Sequence, residues 1–184
     1  FSKYKLPEDS TLSNNNIGYR GDIGTQVIGE GLPYLPKLQT LDLSRNYIGL
    51  EGDTGTQAVG ESLQYLTELQ TLDLSNNKIG YKEDVGTQTI AESLKYLSQL
   101  RTLDLSNNNI GGAGAQSLFD AIPQVICNNL NFQTLNIQGN NFTNIPWGQT
   151  ARALEGQYTG QIQKACKANR CFGTPVTPNQ TAIQ

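Results

Sequence analysis

Leucine and polar residues alternate in a short stretch that the chain repeats. From Leu100 to Ile110 it reads L-x-x-L-x-L-x-x-N-x-I, with Leu103 and Leu105 set between Thr102, Asp104 and Ser106. Alternation with period two predicts a strand with one apolar face and one wet face. The same positions recur at 38–48 and 69–79, a weaker copy covers 132–142, and half a copy stands at 12–17. Between strands the period changes. Ile90, Leu94 and Leu97 follow the spacing i, i+4, i+7, as do Val59, Leu63 and Leu66, and Ile28, Leu32 and Leu35. That spacing lays one apolar stripe along a helix, leaving Glu92 and Lys95 to face water.

An asparagine closes each strand motif. Asn15, Asn46, Asn77, Asn108 and Asn140 follow one another at intervals of 31, 31, 31 and 32 residues. A carboxamide both donates and accepts, which suits a turn whose buried peptide groups lack partners. These five are expected to be structural, stacking their amides from copy to copy. An Ile-Gly pair follows the first four of them, and glycine lets the chain turn there. Asp22, Asp53 and Asp84 stand where a helix N-cap is expected. Tyr34, Tyr65 and Tyr96 recur on the outer side and are expected to pack on the convex face. In the fourth unit the extra residues are read as lying after the helix, at 123–129.

A strand, a helix and a second parallel strand imply a right-handed crossover. Strands lie about 4.8 Å apart, while helix axes need roughly 8–10 Å. The stack must therefore bend, with a concave parallel sheet and convex helices: an α/β, right-handed solenoid shaped as a curved horseshoe segment. Residues 1–11 are an N-terminal cap or a truncated repeat, with Pro7 and Ser10 where leucines are expected. About five repeats fill 12–145. Ala153, Leu154, Tyr158, Ile162 and Ala165 share one face of a C-terminal cap helix within 146–171, and 172–184 read as an extended tail.

The run Ile110-Gly111-Gly112-Ala113-Gly114-Ala115-Gln116-Ser117-Leu118, taken with the strand motif before it, resembles the ribonuclease-inhibitor-like class of leucine-rich repeat. The other units carry three more residues before the helix. The resemblance covers about 12–142. It implies a solenoid that binds protein partners without catalysis, and it favours the cytoplasm, or a host cytosol for an effector, over secretion.

Composition narrows the picture. Only 36% of the 184 residues are hydrophobic, which a repeat stack tolerates because each unit covers only its neighbour. A net charge of −3 and a pI near 4.9 argue against nucleic-acid binding. No apolar run approaches the ~18 residues of a membrane span. There is no Met, so Phe1 reads as the start of a processed chain or a fragment. With no His and three Cys, neither a nucleophile–His pair nor a four-ligand zinc site is expected. Cys166 and Cys171 are placed to close one small disulfide loop in an oxidising compartment; two free thiols are the other reading. Two N-x-T sequons begin at Asn141 and Asn179.

No enzyme activity and no cofactor are expected, and the partner-binding candidates are surface rows. Thr40, Thr71 and Thr102, then Asp42, Asp73 and Asp104, then Ser44, Ser75 and Ser106 would line the concave sheet. Two carboxylates at that strand spacing repel by about 1 kcal/mol in water. The aspartate row thus favours a cation, a basic partner or partial protonation, or else it is simply solvated. The rows barely change between copies, whereas a surface selected for one partner usually varies. Variation falls on Arg45 against Asn76 and Asn107, on Arg101 against Gln39 and Gln70, and on loop tyrosines such as Tyr47 and Tyr81. Tyr and Arg are favoured interface anchors, although packing on a neighbouring loop explains the tyrosines equally well. The leading reading is a protein-protein interaction module that uses the concave sheet and the loop edge. The alternatives are an extracellular recognition or adhesion module, or a repetitive surface protein that binds ions.

Overall fold

The computed structural model describes residues 9–129 and 131–141. The expected cap helix, the tail, Cys166 and Cys171 lie outside the described residues. Five strands alternate with four helices within them: β1 (Asp9–Thr11), α1 (Ile23–Gly31), β2 (Thr40–Asp42), α2 (Thr54–Leu63), β3 (Thr71–Asp73), α3 (Val85–Ser93), β4 (Thr102–Asp104), α4 (Gly112–Asn128) and β5 (Thr134–Asn136). The strands pair in parallel and in chain order, forming an open sheet. Thr40 lies beside Thr71 and Thr71 beside Thr102, and the aspartates are aligned in the same way. β1 keeps this register, with Ser10 opposite Leu41, so residues 9–11 occupy a repeat's strand position. This is the α/β solenoid with a parallel sheet that the periodicity predicts.

The inward leucines explain the register. Leu41, Leu72 and Leu103 are completely buried, as are Leu43, Leu74 and Leu105. A slip by one residue would carry every one of them to the wet face. Each buried leucine contributes about 1.5–3 kcal/mol. Val59 and Leu63 from α2, and Ile90 from α3, close the core from the helix side.

The marker asparagines tie the repeats together, in a way that differs from the expected stack of amides. Asn77 Oδ1 accepts the backbone N–H of Asn46 at 2.9 Å and of Ile48 at 3.1 Å. Its Nδ2 donates to the carbonyls of Leu43 and Leu74, both at 3.0 Å. Asn108 makes the same bonds one repeat on. The rungs run from side chain to the neighbouring backbone because that is where turning leaves peptide groups unpaired.

Three sequence expectations need correction. α4 continues through Pro123 to Asn128, so of the residues 123–129 only Asn129 lies beyond the helix. A mid-helix proline normally breaks the ladder, but here Ile122, Val125 and Ile126 are buried on the core side of the segment. Tyr34, Tyr65 and Tyr96 are 79%, 53% and 47% exposed rather than packed. Asp22, Asp53 and Asp84 occupy N-cap positions without capping their own helices. Asp53 Oδ2 instead accepts the Gly86 amide of α3 at 2.9 Å, and Asp84 Oδ2 accepts the Ala113 amide of α4 at 3.0 Å. Stacked helices begin side by side, so a neighbour's free N-terminal amides compete with a residue's own.

Candidate functional site

Two surfaces carry the residues that the sequence singles out. The first is the outward face of the sheet. Thr40, Thr71 and Thr102 are partly exposed there, as are Asp42, Asp73 and Asp104. Ser44, Ser75 and Ser106 are buried and leave little for a partner to touch. The invariance of the aspartates has a local cause. Asp42 Oδ1 accepts the Ser44 amide at 3.0 Å, Asp73 Oδ1 the Ser75 amide at 2.8 Å, and Asp104 Oδ1 the Ser106 amide at 2.8 Å. A carboxylate that accepts the N–H two residues on ends a strand by closing an Asx turn. Asp104 also takes a bond from Asn136 Nδ2 at 2.9 Å. No three acidic or thiol side chains among the described residues converge to hold a metal ion.

The second surface is the edge where the chain leaves the strands. A cleft of about 450 Å³ opens there, lined by Arg45, Tyr47, Asn76, Lys78 and Asn107 together with Asn14 and the marker Asn77. The residue before each marker asparagine is left-handed in every repeat: Asn14 (φ 60°), Arg45 (57°), Asn76 (54°), Asn107 (53°) and Gly139 (69°). Asn and Gly tolerate that region, whereas a longer side chain does so at a cost. Arg45 is the exception in its own row. Tyr47, two residues on, is also left-handed at φ 61°. Its ring meets Tyr19 edge-on, with centroids 5.4 Å apart, and it stays 38% exposed.

Arg45, Tyr47, Asn76 and Asn107, all sequence candidates, are thus brought together. Tyr81 and Arg101 are exposed but do not line the cleft. Lys78 and Asn14 do line it and were missed. A comparison along their own rows, Asn16–Tyr47–Lys78–Asn109 and Asn14–Arg45–Asn76–Asn107, would have exposed both. The cleft thus holds two cations and no carboxylate, on a chain whose net charge is −3. Asp53 stands apart, at the start of α2. Burial pushes its carboxyl above the ordinary carboxylate value, Glu83 and Asp84 add to the rise, and the Gly86 amide opposes it.

No helix among the described residues is long and apolar enough to cross a membrane. The leucine-rich-repeat family matches residues 34–52, 65–82 and 96–119. Each matched segment starts at or just past a helix end and runs through a strand and its asparagine into the next loop, the third continuing into α4. The match does not single out the ribonuclease-inhibitor-like class. No curated protein matches the chain. Leucine-rich repeats generally mediate protein–protein interaction and are typically non-enzymatic. With strands in register and the motif returning every 31 residues, the three matched segments are leucine-rich repeats.

Proposed function

We propose that this repeat stack is a non-enzymatic docking module that meets a protein partner through the polar face of its sheet and the adjoining loop edge. The observation that carries the reading is the in-register row Thr40–Thr71–Thr102. Its members are partly exposed and follow one another at the strand spacing. Short side chains on a rigid sheet lose little conformational freedom when a partner covers them.

The aspartate row is unsuited to a test by substitution, since its carboxylates close the strand-end turns. Thr71 is the better probe. A photo-cross-linking phenylalanine analogue at Thr71 should yield discrete protein adducts in extract from the source cells. The same analogue at the exposed helix residue Glu61 should not. Adducts from Glu61 alone, or equally from both positions, would rule out the sheet face as the docking surface.

A further inference from the structure

We propose that the cleft at the strand-exit edge takes an acidic peptide segment of the partner, with Arg45 as its principal anchor. The inference rests on the docking reading above and names the chemistry that would be read. The repeats supply their own control. At the position of Arg45 the other described copies carry Asn or Gly in the same left-handed backbone. One repeat alone gives up a tolerant residue for an arginine, two positions from a tyrosine that is also left-handed. Strain held at two neighbouring surface residues either side of Asn46, against the rule that the same chain follows elsewhere at the position of Arg45, marks a site selected for something other than stability.

The lining defines the ligand. The Arg45 guanidinium presents a planar fork matched to a carboxylate, and Lys78 adds a mobile point charge. Neither side chain has a hydrogen bond or ion pair among the described residues. Asn76 and Asn107 each lean Nδ2 toward a serine hydroxyl, at 3.3 and 3.5 Å. That leaves a carbonyl oxygen and an N–H on each for a ligand. Groups that both accept and donate suit a peptide main chain better than a phosphate, which at neutral pH mainly accepts. The aspartates of the adjoining sheet also disfavour a dense polyanion such as nucleic acid, and a peptide with one or two carboxylates avoids them. Tyr47 offers a ring for the segment to lie against.

Random dodecapeptides displayed on phage, selected against the full chain, provide the test. Enriched peptides should be rich in Asp and Glu. Their affinity, read by fluorescence anisotropy, should fall about tenfold when the acids become amides and by a similar factor for Arg45→Asn. It should also weaken between roughly 50 and 300 mM NaCl. Arg45→Asn restores the residue of three sister repeats, so misfolding would not account for a loss. Acid-free peptides, or peptides that bind Arg45→Asn and Lys78→Gln as well as the parent, would overturn the inference. So would tighter binding of phosphoserine copies or of single-stranded DNA. Peptides indifferent to Arg45 but lost on Thr71→Arg would overturn it while leaving the docking reading intact. Selection of no peptide would overturn the inference, and the cross-linking at Thr71 would then decide the docking reading alone.

Discussion

Asp53 caps the helix of the repeat after its own: its Oδ2 accepts the backbone amide of Gly86 at 2.9 Å. The carboxylate is buried, its other oxygen has no hydrogen-bond partner, and its pKa is raised, chiefly by burial. The folded chain therefore holds this proton more tightly than the unfolded chain does. The contribution of Asp53 to stability is full below the ordinary carboxylate pKa and is lost as pH rises through the raised one. Asp53→Asn keeps an acceptor for Gly86 and removes the charge. Thermal melts across the mildly acidic range should show the parent losing stability with rising pH relative to this variant. Parallel curves would refute the assignment.

The asparagine rungs should differ in worth along the stack. Asn77 is buried and serves two amides and three carbonyls, so Asn77→Ala orphans backbone groups with no route to water. A loss of about 3–4 kcal/mol in urea unfolding is expected. Asn15 is exposed and bonds only to nearby carbonyls with its side chain, so Asn15→Ala should cost less than about 1 kcal/mol. Equal losses would mean that the rungs act locally rather than between repeats.

Two helix glycines should respond to alanine with opposite signs. Nothing lies within 4 Å of a Cβ built on Gly31, so Gly31→Ala should stabilise by about 0.5–1 kcal/mol through helix propensity. A Cβ on Gly60 would sit 2.9 Å from the backbone nitrogen of Ile90 in α3. Gly60→Ala should push the two helices apart and cost about 1–2 kcal/mol despite the same propensity. Calorimetric midpoints of the two variants, moving to either side of the parent, would show it.

Relief of the left-handed arginine should be measurable apart from binding. Arg45→Asn should raise stability by about 0.5–1 kcal/mol. Tyr47→Asn gains a similar relief but loses the edge contact with Tyr19, worth about 0.5–1.5 kcal/mol, and should end near neutral. Urea midpoints for both variants settle this. A destabilised Arg45→Asn would mean that the arginine makes a stabilising contact.

The leucine spacing, the 31-residue period and the marker asparagines were enough to determine the open parallel sheet and its register. Each of those features is a local rule repeated, and a leucine at every second position admits only one face as core. Arg45, Tyr47, Asn76 and Asn107 also stood out, as variation within otherwise constant rows. What the tertiary structure decided was where side chains end when a neighbouring repeat competes for them. The Asp53 carboxylate turned away from its own helix because the next helix start was as close and needed acceptors. The aspartate row, which looked like a charged surface, is spent largely on closing turns. The helix ran through Pro123 because the apolar residues around it had a core to bury against. Lys78 joined the cleft for the same kind of reason: its closeness to Arg45 is set by the stacking of strands, and residues 33 positions apart in the chain meet only once that stack exists.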